Sequence, residues 1–329
     1  MIRIALLFAA LAAFPLAMQA SDNLFYASLA SRILIYAIAA TSLNLVLGYG
    51  GMVSFGHAAF FGTGAYVVGI LAAEGVRSAW IAWPAAVAVA AAAALVVGAV
   101  SLRTRGVYFI MITLAFAQML YYVFVSLKTY GGDDGLSLPG RSTVGGGVDL
   151  ADDVTWYYVV LALFAAVIYL TRRLVNSRFG RVIAAIREND ARAEALGYPV
   201  YRYKLACFVI SGAVAGLAGA LIANQGAYAS PSLLHWIQSG TLMIMVILGG
   251  VGRLWGGFIG AATLLVLEHL ISDYPIGWLQ GLAPNYQEHG GLAVGIVLLA
   301  VVLYAPHGLA ALFASRGLTA TQKRDARAP

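Results

Sequence analysis

Apolar residues run along this chain in blocks of helix length, and polar residues gather between the blocks. The pattern predicts membrane spans at residues 1–20, 29–47, 58–73, 80–100, 107–127, 156–170, 205–224, 239–251, 256–271 and 291–304. The runs are continuous, without the alternation of period two that a membrane barrel strand needs. The expectation is therefore an all-α polytopic membrane protein with about ten transmembrane helices. Several blocks fall short of the roughly 20 residues that cross a hydrocarbon core of about 30 Å. Short or glycine-broken segments suit places where backbone is packed in protein or lines a cavity. Residues 1–20 also have the form of a cleavable signal peptide ending in Ala-Met-Gln-Ala. Keeping them as a first helix makes the topology below consistent.

One polar stretch interrupts the apolar blocks in a different way. Residues 176–205, NSRFGRVIAAIRENDARAEALGYPVYRYKL, are rich in charge yet keep a helical apolar rhythm through Val182, Ile183, Ile186, Ala193 and Leu196. Arg187, Glu188, Asn189, Asp190, Arg192 and Glu194 fall mostly elsewhere, and Gly197 before Pro199 predicts the stop. Two readings fit: a helix on which a soluble partner docks, or one lying on anionic lipid.

Charge then sets the sides. With ten spans and both termini cytoplasmic, sixteen of the twenty Lys and Arg residues face the cytoplasm, leaving Arg32, Arg77, Lys128 and Arg141 outside. This obeys the positive-inside rule, and the reversed orientation would invert it. The charged segment thus becomes cytoplasmic, and the acidic, glycine-rich loop 128–155 lies outside. Residues 1–315 form the transmembrane body, and 316–329 a basic cytoplasmic tail.

Composition agrees with the pattern: 61% hydrophobic, 10% charged, mean hydropathy +0.85. A soluble domain carries about a quarter charged residues. Cys207 is the single cysteine, so a disulfide within the chain and a cysteine metal cluster are excluded. No phosphate-binding G-x-x-x-x-G-K-[ST] loop and no H-E-x-x-H occur, so neither nucleotide hydrolysis nor metal catalysis is expected, and no metal or other cofactor on this chain. Nothing in the pattern suggests nucleic acid; membrane lipid is the expected surrounding. Buried acids or bases forming an ion relay are also missing, which disfavours a stand-alone secondary transporter. Glu268 sits near a predicted helix end, and Asn44, His57, Gln118 and Asn224 are the polar residues within spans. Interhelical hydrogen bonds are the simplest role for these four. Gly212 and Gly216, and Gly252, Gly256 and Gly260, stand four apart and predict close helix packing.

Four ordered stretches carry a resemblance: LNLVLGYGGMVSFGHAAFFGTGAY (43–66), GRVIAAIRENDARAEALG with YKLACFVISGAVAGLAGAL (180–221), MVILGGVGRLWGGFIGA (245–261) and YAPHGL (304–309). Together they resemble the LivM-like permeases of branched-chain amino acid ABC importers. The resemblance implies an ABC importer permease fold in a bacterial inner membrane, with no chemistry on the ligand. It implies a second permease of the LivH type, ATPase subunits that hold ATP and Mg, and a periplasmic substrate-binding protein. Leucine, isoleucine and valine are the implied cargo; related permeases serve urea, amides or aromatic acids.

The general importer loop pattern E-A-A-x-x-x-G, aligned on Gly197, falls on Ala191, Arg192 and Ala193. Its glutamate is displaced, with Glu188 and Glu194 nearby. The resemblance makes Arg187, Glu188, Asn189, Asp190, Arg192, Glu194 and Gly197 the expected ATPase-coupling residues. Resemblance and polarity together make Asn44, Ser54 and His57, around the glycine-rich break 48–56, the expected lining of the translocation pathway.

Overall fold

The computed structural model describes residues 11–15, 24–145, 149–273 and a few positions between 295 and 310. Its helices are α1 (Leu24–Asn44), α2 (His57–Ala73), α3 (Ala79–Ser101), α4 (Val107–Ser126) and α5 (Asp153–Val175). Two short helices, α6 (Arg178–Glu188) and α7 (Asp190–Ala195), precede α8 (Val200–Gly226), α9 (Trp236–Gly249) and α10 (Gly256–Asp273). A π-helical turn, Leu45–Tyr49, prolongs α1.

Five helical stretches are long and apolar enough to cross a membrane: Phe25–Tyr49, Ala79–Ser101, Val107–Ser126, Asp153–Val175 and Val200–Gly226. Three apolar helices are shorter, His57–Ala73, Trp236–Gly249 and Gly256–Leu270. These eight correspond to the second through ninth expected spans. The first and tenth, and the tail 316–329, lie largely or wholly outside the described residues. The chain is thus a multi-pass helical membrane protein.

Small residues, not large ones, set the helix spacing. Lipid is as apolar as leucine, so membrane helices gain most by bringing backbones close. Ala82, Ala86, Ala90, Ala94 and Gly98 recur every fourth residue of α3 and are all buried. They meet Gly212 and Gly216 of α8, where added Cβ atoms would overlap the Cβ atoms of Ala94 and Ala90. On its other side α8 meets α2 as closely: a Cβ on Gly219 would overlap the Phe61 carbonyl, and one on Gly64 the Gly216 carbonyl. By contrast, α4 buries only Phe109, Thr113 and Ala117 among its side chains and turns Tyr108, Met111, Met119 and Tyr122 outward. That is the face expected of a lipid-contacting helix.

The described residues are mostly helical, as expected. One small ribbon is added outside the helices: β1 (Leu136–Ser137) pairs antiparallel with β2 (Tyr228–Ala229), Leu136 opposite Ala229. This ribbon fastens the 127–152 loop to the end of α8, helped by a 2.6 Å bond from the Ser142 amide to Asn224 Oδ1. Gly256 and Gly260 do pack closely, against Gly250 and Met245. Gly252 packs closely too, since a Cβ on Gly48 would overlap its amide nitrogen, but it does so from the turn between α9 and α10, at φ +75°, a backbone conformation that disfavours a Cβ. Its fourfold spacing from Gly256 is a coincidence of turn and helix.

Candidate functional site

The charged segment folds as two helices, not one. Ser177 caps α6 by accepting from the Gly180 amide at 3.3 Å, and Asn189 breaks the helix at φ −158°, ψ 104°. The same Asn189 side chain then caps α7, accepting from the Arg192 amide at 2.9 Å. A cap replaces the missing carbonyl partner of a first-turn amide, so Ser and Asn at these points dictate the division. Gly197, at φ +85°, and Pro199 end the segment as expected.

The apolar face is real but shorter than the rhythm implied. Ile183, Ile186 and Ala193 are buried; Leu196 is exposed. Phe179 stacks on Tyr203 of α8 at 5.5 Å, and Lys204 pairs with Asp190 at 2.6 Å. The segment is therefore bound to the bundle, although helix breaks after Val175 and before Val200 separate it from the neighbouring helices.

Arg187 points away from the solvent-facing charges. Its guanidinium donates to the carbonyl of Gly48 in the π turn, and its Cγ lies where a Cβ on Gly51 would stand 2.8 Å away. Beside it, Asn44 Nδ2 donates to the Arg253 carbonyl at 2.8 Å, and the Gly252 amide donates to Asn44 Oδ1 at 2.8 Å. One junction thus joins α1, the α9–α10 turn and the charged segment. Residues assigned separately from sequence, Arg187 and Asn44, meet there through Gly48. A cavity of about 410 Å³ opens alongside, lined by Gly51, Arg105, Arg187, Asp190, Glu194 and Lys204 among others. Glu188 and Arg192 are exposed beyond it.

The remaining expected pathway residues are sealed. Ser54 is buried and accepts from the Gly56 amide at 3.1 Å. His57, at the start of α2, lies 2.7 Å through Nε2 from Ser211 Oγ of α8, and that hydroxyl donates to the Ser42 carbonyl of α1. Because the serine proton is already engaged, Nε2 carries the hydrogen and donates. The Ala58 amide is met at 2.8 Å by Ser239 Oγ of α9. The buried N-terminus of α2 is thus held by three helices, which answers the demand that irregular backbone within a membrane be packed in protein. Asn44 ties α1 to the α9–α10 turn and His57 ties α2 to α8, while Ser54 bonds within its own turn; none of the three lines the 410 Å³ cavity. Asn224 holds a loop instead, accepting from the Ser142 amide while it donates to the Ala220 carbonyl of its own helix.

Sequence reasoning missed Ser42, Ser211 and Ser239, which give no signal of their own in an apolar run. It also missed the α3 alanines, whose fourfold spacing was visible.

This geometry belongs to a chain that matches, over residues 25–302, the family model described as "Branched-chain amino acid transport system / permease component". The chain is 29% identical over 304 residues to the high-affinity branched-chain amino acid transport system permease protein LivM of Salmonella typhimurium, covering 85% of this chain and 69% of that protein. It is 25% identical over 321 residues to the probable LivM permease of Methanocaldococcus jannaschii, covering 84% and 90%. It is 28% identical over 291 residues to the permease LivH of Salmonella typhimurium, covering 83% and 90%. No solved structure is a significant match.

Proposed function

The chain belongs to the branched-chain amino acid transport system permease family, and from that premise we propose that it is the membrane subunit of an ATP-driven importer. It carries leucine, isoleucine and valine into the cytoplasm by alternating access, without chemistry on the cargo. A LivH-type permease completes the pore, ATPase subunits with ATP and Mg dock on the charged segment, and a periplasmic binding protein delivers the ligand. The subunit resides in a bacterial inner membrane, with ten spans and cytoplasmic termini.

The observation that carries this reading is the junction of Arg187 with Gly48. A force applied to the exposed charges of α6 and α7 has a direct mechanical route into α1 and the α9–α10 turn. Coupling between sites is carried by chains of packed side chains and hydrogen bonds such as these. Arg187 acts on the inner side of the segment; Glu188, Arg192 and Glu194 are left to meet the ATPase.

Affinity purification of the tagged chain in mild detergent, followed by mass spectrometry, tests the assembly. An ATPase pair and a second permease are expected. Recovery of the chain alone, under conditions that preserve other importers, overturns the reading.

A further inference from the structure

A cleft of about 430 Å³ lies at the end of the bundle opposite the charged segment, between the first half of α1 and the end of α8. Its volume falls in the range of about 300–1,000 Å³ typical of small-molecule sites. Arg32 stands in it, eight residues into α1 and about 12 Å along the helix from Leu24, at 1.5 Å per residue. Among the described residues the ion pairs are Arg141 with Asp153 and Lys204 with Asp190, so Arg32 has no carboxylate partner there. Its guanidinium has the Tyr36 ring at 5.8 Å, a weak substitute for water or an anion. A cation within a span costs several kcal/mol in lipid and faces protein, water or a ligand instead.

The surroundings are those of an amphipathic ligand. Ser28, one turn before Arg32, accepts from Gln225 Nε2 at 2.7 Å, which leaves its own hydroxyl hydrogen available. Gln225 is itself fixed by the Trp156 indole. Leu29, Ile222 and Leu233 supply an apolar wall. Helix α8 ends here at Gly226, with Ala227 at φ 49°, the one non-glycine positive φ among the described residues. The negative end of the α8 dipole is therefore turned toward the cleft, where it favours a cation.

We infer that this cleft is an outward-facing station for an apolar α-amino acid, its carboxylate on Arg32, its side chain on the Leu29–Leu233 wall and its ammonium toward the end of α8. The inference rests on the importer reading and adds a site to it.

The test uses Ser28→Cys in the full chain, assembled in membranes, with a charged, membrane-impermeant methanethiosulfonate added from outside. The native chain serves as blank, since its single thiol, Cys207, is buried. The expected results are labelling of the new cysteine and at least a fivefold slowing by L-leucine. Leucinamide, which lacks the carboxylate, should not slow it. In a Ser28→Cys, Arg32→Ala chain leucine protection should vanish, and Arg32→Lys should keep part of it. No labelling overturns the proposal, because it puts the cleft against lipid with Arg32 reaching for phosphate headgroups. Labelling without leucine protection overturns it as well. Leucine uptake by the unmodified assembly tests the importer reading separately: failure of uptake with protection intact sinks that reading alone.

Discussion

Replacing Arg187 with alanine removes the side chain that reaches from α6 into the glycine-rich break. Two contributions are lost. A hydrogen bond from a charged donor contributes about 1.5–3 kcal/mol, and packing of a buried methylene about 0.8 kcal/mol. Arg187 is largely exposed, with only its tip and Cγ engaged. Solvent screening of an exposed charge reduces the sum, giving about 1–2 kcal/mol. At about 1.4 kcal/mol per tenfold change, detachment of the segment should become roughly 5–30 times more populated. Hydrogen–deuterium exchange of the purified chain reads this directly, because amides that exchange through local opening report its free energy. Amides of α6 should exchange 5–30 times faster in Arg187→Ala, with α3 and α8 unaffected. Arg187→Lys, with a point charge in place of a planar fork, should fall between. Glu188→Ala and Glu194→Ala should leave exchange unchanged, since both carboxylates are exposed; their effect should appear in ATPase binding. Native exchange in Arg187→Ala, or an equal effect from Glu188→Ala, would refute the reasoning.

Gly219→Ala should destabilise the bundle by about 1–3 kcal/mol, the usual cost of overpacking, because its Cβ meets the Phe61 backbone, which cannot rotate away. Gly240→Ala, whose nearest neighbour would be Phe55 Cε1 at 3.9 Å, should be neutral or slightly stabilising; thermal unfolding in detergent compares the two. Asn44→Ala strands the Gly252 amide and the Arg253 carbonyl in a half-buried turn and should cost about 1–3 kcal/mol in the same assay. Asp152→Ala should cost about 0.5–1 kcal/mol by uncapping α5. The Thr155 hydroxyl at 2.8 Å and amide at 2.9 Å hold the Asp152 carboxyl below its ordinary pKa. With the folded value depressed, the cap contributes fully above the unfolded pKa and is lost as pH falls through the folded one. The difference between Asp152→Ala and native chain should therefore shrink on acidification, and a constant difference would contradict the cap.

Long apolar runs determined the spans, since each must satisfy its own backbone in lipid whatever its neighbours do. The cap residues Ser177 and Asn189 were equally local, and a closer reading of them divides the charged segment correctly. The direction of Arg187 was not legible, because helical spacing places it among solvent-facing charges and only the fold brings Gly48 beneath it. Asn44, Ser54 and His57 were singled out for polarity, and only the fold shows where their hydrogen bonds go: Asn44 to the α9–α10 turn, His57 to Ser211 of α8, and Ser54 to the nearby Gly56 amide. Arg32 read as an outer charge until the end of α8 was placed beside it. Sequence fixes what is near in the chain. Contacts across more than a hundred residues, such as Arg187 with Gly48 and Asn44 with Gly252, depend on how closely glycines and alanines let the helices approach, and the tertiary structure alone decides them.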